Sequence, residues 1–165
     1  MVIRKKALIY DISNMAYVIA DTGDDGNHSL HRVRDICEAG NIDRVSRVLG
    51  IAYAKILALL SPLIETNCRD EAKDESAKVH DYPISFRDDG ELKYSLSPEK
   101  KLKIKELTHE FMVCMVLTDW LEVTFPVAAD VWKDRMERVF GNLKDVVMSV
   151  CNSFSTGFRR KLSPF

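Results

Sequence analysis

Apolar residues recur at steps of three and four over most of this chain, the spacing of one helix face. Residues 7–20 read ALIYDISNMAYVIA. Ala7–Tyr10 alone fits a strand, but Leu8, Ile12, Met15, Ala16 and Ile19 fall at helical spacing, and Ala16 and Ala20 favour helix. The stretch is read as a helix, followed by an Asp- and Gly-rich loop over Thr22–Asn27. A short helix is expected from Ser29 to Ala39, stopped by Gly40 in a left-handed C′ position. Asn41 then stands where its side-chain oxygen caps the next helix. That helix carries Ile42, Val45, Val48, Leu49, Ala52, Tyr53, Ile56, Leu57, Leu60 and Ile64. From Gly50 to Leu60 it is apolar nearly all round, with Lys55 the only charge. Such a helix belongs in the middle of a bundle or in an oligomer interface. Pro62 kinks or ends it.

Residues 65–81 are polar and charged, and an exposed linker is expected over about 67–81. The period then changes to two. Ile84, Phe86, Leu92, Tyr94 and Leu96 alternate with polar residues around Asp88-Asp89-Gly90. This predicts a β-hairpin over about 82–97, with a type I turn and a left-handed Gly90. Pairing Phe86 with Leu92 also pairs Ile84 with Tyr94 and sets Arg87 opposite Glu91. An isolated hairpin is marginal in water. Its apolar face must therefore lie on the helices or on another subunit, which makes Ile84, Phe86, Leu92 and Tyr94 candidate interaction residues.

Ser97-Pro98-Glu99 is a helix start: a cap, a proline in the first turn, and an acid at the positive end of the dipole. The helix is expected from Pro98 to about Val123. Its first turns are basic and exposed (Lys100, Lys101, Lys103, Lys105), and its second half, HEFMVCMVLTDWLEV, is buried. Thr124 and Pro126 break it. A last helix shows Val131, Met136, Val139, Phe140, Leu143, Val146, Val147 and Val150 on its apolar stripe. Asn152–Phe165 is read as a tail, flexible and basic over 155–165. The expected core is Val45, Leu49, Ala52, Ile56, Leu60, Phe111, Met115, Trp120, Val139, Leu143 and Val147. The fold class is mainly α: a single domain, residues 1–154, built as a bundle of four or five helices with one β-hairpin arm.

Composition leaves this picture standing. The chain has 165 residues, 46% of them hydrophobic and 30% charged, which suits one folded domain and argues against disorder throughout. A net charge of −1 supplies no global field for nucleic acid or membrane. The basic residues cluster locally, at Arg4, Lys5 and Lys6 and at Arg159, Arg160 and Lys161. With Phe158, the second cluster is an aromatic-plus-cation segment able to order on a partner, so Phe158, Arg159, Arg160 and Lys161 join the interaction candidates. Cys37, Cys68, Cys114 and Cys151 form no C-x-x-C pair and read as reduced thiols. Asp11, Ser13 and Asn14 interrupt the first apolar stretch, against a signal peptide. The run Phe111–Leu117 is far too short to span a bilayer.

Chemistry-bearing patterns are sparse. His28 and His31 form H-x-x-H, two ligands where zinc needs three or four. His109-Glu110 begins an H-E-x-x-H, but position 113 is Val113. No glycine-rich phosphate loop and no nucleophile elbow occurs. Trp120 and Trp132 are read as core residues, with Asp119 able to accept an indole N–H. The expectation is a non-enzymatic chain with no catalytic residue, no metal and no cofactor. One alternative is a metal-dependent nuclease. The sequence LIYDISNMAY resembles, over about a dozen residues, the opening strand of PIN-like and flap-type nucleases, with Asp11 and Asn14 in the metal-binding places. Its further acids would be Asp35, Asp43 and Asp119, none of which ends a parallel strand in this reading. The other alternative is a small nucleic-acid-associated regulator using the basic ends and Lys100–Lys105.

Three stretches make a broader resemblance. KALIYDISNMAYVIAD, RVRDICEAGNIDRVSRVLGIAYAKILALLSP and HEFMVCMVLTDWLEVTFPVAADVW cover about half of the chain. Together they resemble a family of uncharacterised proteins from phages and prophages of gut Bacteroidetes. The resemblance implies a place among virion-assembly genes and a head–tail connector (neck adaptor) role. Connectors of this kind are small helical bundles with a protruding arm that assemble as rings. The implied partners are further copies of the chain, in a ring, and portal or tail components. Nucleic acid is a weaker partner and a membrane is not one. The implied location is the cytoplasm of the bacterial host and then the virion.

Overall fold

In the computed structural model of the protein, residues 1–22, 31–65, 81–88, 90 and 96–160 are described, residues 154–160 by backbone alone. The order is β1 (Val2–Ile3), α1 (Lys5–Thr22), α2 (His31–Arg34), α3 (Ile42–Leu60), β2 (Tyr82–Pro83), α4 (Pro98–Thr124) and α5 (Pro126–Arg160). A short 3-10 turn, Asp35–Cys37, continues α2. The fold is mainly α, five helices among the described residues with a small two-stranded antiparallel sheet.

α4 and α5 are the frame. Ser97 caps α4, its hydroxyl accepting from the Lys100 N–H at 3.3 Å, and Pro98 takes the first helical position. Phe125 leaves the helical region for one residue (φ −152°, ψ 76°), as the residue before a proline tends to. Pro126 then opens α5. The two helices fold back on each other about Phe125: Glu110 meets Arg135, and the Phe111 and Phe140 rings stack with centroids 5.1 Å apart. The α5 side of this seam is Ala129, Trp132, Met136, Val139, Leu143, Val147 and Val150, at steps of three and four, each buried or half-buried. Val131, expected on this stripe, is off that row and 67% exposed. α5 continues to Arg160, so the expected tail carries helical backbone over its first residues. No proline follows Pro126 until Pro164, and extending a formed helix gains a hydrogen bond for each residue fixed.

The other helices pack on this frame. α1 buries Leu8, Ile12, Ala16 and Ala20 along one face. The helical reading of residues 7–20 therefore stands. α3 buries Val45, Val48, Leu49, Ala52, Ile56 and Leu60. The expected core holds, with Met115 half-buried and the other ten residues buried. Two local expectations fail. The helix expected to end at Ala39 stops at Arg34 and tightens into the 3-10 turn, and Gly40 lies in a turn outside the left-handed region. Asn41 precedes α3 but does not cap it: its amide donates backward to the Asp35 carbonyl at 2.8 Å, holding the turn instead.

The strand pairing also differs from the hairpin expected over 82–97. β2 pairs antiparallel with β1, Val2 opposite Pro83 and Ile3 opposite Tyr82. Ile84 extends the pairing: its N–H donates to the Met1 carbonyl, and its carbonyl accepts from the Met1 ammonium, both at 2.7 Å. Further along, Phe86 bridges to Ile64, and Arg87 donates from its backbone to Leu63 and from its side chain to the Ile64 carbonyl. Asp81 accepts from the Lys5 N–H at 3.0 Å, capping α1 from a distant part of the chain. Ile84 and Phe86 thus take non-local partners, and Gly90 has helical backbone rather than a left-handed turn. Leu92 and Tyr94, the expected second strand, lie outside the described residues, as does the linker before Asp81. Of the alternating residues, Ile84 and Phe86 are covered by pairing with residues 1–3 and 63–65 on opposite edges of their stretch.

Two threonines of α4 generate a stability prediction. Both are buried. Thr118 donates its hydroxyl to the Cys114 carbonyl at 2.8 Å, while the Thr108 hydroxyl has no hydrogen-bond partner. A buried unpaired hydroxyl is destabilising. Thr108→Val is expected to raise the unfolding free energy by about 1 kcal/mol, and Thr118→Val to give no gain. Urea midpoints at unchanged slope measure both.

Candidate interaction surface

Four pairs of charged side chains tie one described helix to another. Arg44 of α3 donates to the Asp119 carboxylate at 2.9 Å and to the Asp119 carbonyl at 3.0 Å. Its guanidinium also lies 5.6 Å from the centre of the Trp120 ring, and the Trp120 indole donates to the Val33 carbonyl of α2 at 3.2 Å. Asp119 therefore serves Arg44, not an indole N–H. Arg135 of α5 donates twice to Glu110 of α4, at 2.7 and 3.0 Å, with its guanidinium over Trp132. Arg34 of α2 reaches Asp21 of α1 at 3.6 Å and lies over Tyr17. Asp11 of α1 and His109 of α4 meet at 2.7 Å.

This geometry separates the acids of the nuclease pattern. Asp11 sits in the middle of a helix, not at the end of a strand, and its partner is His109. Asp35 lies in the 3-10 turn, Asp43 in the first turn of α3, and Asp119 is tied to Arg44. Among the described residues no three His, Cys, Asp or Glu side chains converge as a metal would need. His31 begins α2, and His28 lies outside the described residues. Beside His109 runs a groove of about 450 Å³, open to solvent and lined among the described residues by Leu102, Lys105, Glu106 and His109. These four share one face of α4, at steps of three and four.

Exposed apolar side chains occur at several other places, among them Tyr10, Tyr17 and Val18 of α1 and two further stretches. At the elbow between α4 and α5, Val123, Val127 and Val131 are 68%, 76% and 67% exposed. Along α3, Gly50, Ile51, Ala54 and Ala58 face solvent beside Lys55. The all-apolar stretch of α3 is therefore at an edge of the bundle and not in its middle. Of the sequence-stretch candidates, Ile84 is fully buried and Phe86 half-buried within the chain's own packing. Phe158, Arg159 and Arg160 are described as helical backbone only, and Lys161 lies outside the described residues. The elbow was missed because Val131 matched the apolar stripe by spacing. The signal against that assignment was the acid at Asp130 and at Asp134, on the same face as Val127 and Val131.

Among the described residues no helix is long and apolar enough to cross a membrane. The thiols of Cys37 and Cys114 are held protonated by burial, Cys114 rising from 9.0 to about 11, helped by Glu110 and opposed by Arg135. Burial also lifts the Tyr82 hydroxyl from 10.0 to about 12. All three groups bind their protons more tightly folded than unfolded. Their contribution is complete below pH 9, where the unfolded thiol still holds its proton, and is lost as pH rises towards 12. Denaturant midpoints are expected to fall over that range. Tyr82→Phe is expected to flatten the part of the fall above pH 10. No protein family, no curated protein and no solved structure matches the chain.

Proposed function

We propose that this chain is a non-enzymatic structural protein of a phage virion, a head–tail connector that acts by self-association and by contact with portal or tail proteins. The observation that carries the reading is the exposed apolar surface on the helical frame. Val123, Val127 and Val131 stand out from the elbow, and Ile51 with its small neighbours stands out from α3. Apolar surface concentrated on regular, rigid elements is what a protein–protein interface needs at its centre. The resemblance of the three sequence stretches to phage and prophage proteins supplies the virion setting. In this reading the chain works in the cytoplasm of the bacterial host during assembly and then in the particle.

Lys101, Lys103 and Lys105, exposed on α4, favour nucleic-acid association as a second reading. Mass measurement in solution tests the first. The chain weighs 18.8 kDa, and light scattering over rising concentration is expected to show multiples of that mass. A monomer at every concentration, with DNA binding that weakens steeply with salt, would transfer the case to the second reading.

A further inference from the structure

We infer that the end of the bundle where α1 and α4 begin is a binding surface for the phosphate backbone of duplex DNA. This rests on the second reading, nucleic-acid association, and does not depend on self-association.

Basic segments far apart in sequence come together there. α1 and α4 lie side by side and run the same way. Asp11 meets His109 at 2.7 Å. Towards the other end, Arg34 of α2 reaches Asp21 and Tyr17 of α1, and the adjacent Val33 carbonyl accepts from Trp120 of α4. Counted back from the Asp11–His109 contact, Arg4 is level with Leu102, and Ala7 with Lys105. α5 runs the opposite way. With Phe140 against Phe111, the start of α4 at Pro98 is level with Ser153. α5 continues past that level, so helical backbone carries Arg159 and Arg160 to the same end.

The surface is positive after its acids are counted. Arg4, Lys6, Lys101, Lys103 and Lys105 are exposed, against Glu99 and Glu106 on the same two helix starts. Asp81 also packs here and accepts from the Lys5 N–H. The ion pairs at Arg34, Arg44, His109 and Arg135 use none of the five cations. Lys101 and Lys105 stand one helical turn apart, about 6 Å along the axis. Such spacing spreads charge along a rigid surface instead of converging it on one small anion. A duplex carries one negative charge per about 1.7 Å of its axis, so a spread array of cations finds phosphates in any register. A helix lying on a membrane would need a broad apolar face beside its lysines. Over residues 98–108, Leu102 is the one large apolar side chain that α4 exposes.

Titration with a mixed-sequence duplex tests this. The wild-type chain is expected to bind with a dissociation constant of about 10⁻⁶–10⁻⁴ M at physiological salt, and more weakly as salt rises. Lys101→Glu with Lys105→Glu is expected to weaken binding about tenfold or more and to lower the salt slope by about two. Lys133→Glu with Arg138→Glu makes the same change of charge on α5, near the elbow. That variant is expected to bind within about threefold of the wild type, because charges so far from the surface are screened. All four positions are exposed, so circular dichroism is expected to be unchanged. A second measurement needs no variant: on the wild-type chain, DNA is expected to protect Lys101, Lys103 and Lys105 from acetylation and to leave Lys133 reactive. Equal loss in both double variants, or equal protection at Lys133, would overturn this surface and keep the second reading. Binding to vesicles of anionic phospholipid with none to DNA would overturn both. A wild-type chain that binds neither also removes both, and leaves self-association to the mass measurement.

Discussion

The packing of α4 against α5 is the constraint from which the rest of the architecture follows. Phe125 and Pro126 interrupt what would otherwise be one very long helix, and the chain must turn there. Once it turns, the apolar rows of both helices close on each other, from Ala129 at the elbow to Val150 far down the seam. α1 and α3 then have a fixed wall to pack against, and α2 is held under Trp120 by the indole bond to Val33. The β pair follows in turn, because Tyr53 of α3 donates to the Pro83 carbonyl and stacks near Tyr82, drawing residues 82–86 onto the bundle.

The division of labour between apolar and charged side chains is consistent across the structure. Stability comes from the seam and from the buried faces of α1 and α3, since burial of large aliphatic residues contributes about 1.5–3 kcal/mol each. The ties at Arg44–Asp119, Arg135–Glu110, Arg34–Asp21 and Asp11–His109 are all partly exposed. Pairs of that kind contribute little net free energy. They set the rotation of one helix against another. Arg44 illustrates this, since it bonds both the side chain and the backbone of Asp119 and covers the Trp120 ring, three contacts that fix a single geometry.

Helices with a strong period were legible in the sequence. Residues 7–20, the Val45–Leu60 stripe and the Ser97-Pro98-Glu99 start all behaved as their local chemistry dictates. What failed was local pairing logic applied where tertiary partners existed. The alternation at Ile84 and Phe86 was correctly apolar, but the partners are residues 1–3 and 63–65, far away in sequence and invisible to a hairpin rule. Asn41 failed for the same reason: the Asp35 carbonyl competed for its amide. The candidate surface was the least legible part. Val131 satisfied the spacing of the buried stripe, and only the three-dimensional seam, running through Trp132 and Met136, shows that it points outward. Likewise Asp11 had the sequence neighbours of a metal-binding acid, yet a helix carries it to His109.

The position of the exposed valines bears on why such residues are tolerated. Apolar side chains in water carry a cost in solubility and risk unspecific association. Here they sit beside Phe125, the one-residue connection between two long helices. A surface held in place before binding loses little conformational freedom when it is covered, so a modest apolar tip gains more affinity than the same residues would on a loose loop. Acids beside the valines restrict what can cover them, because an uncharged apolar partner would strand those carboxylates without water or cation.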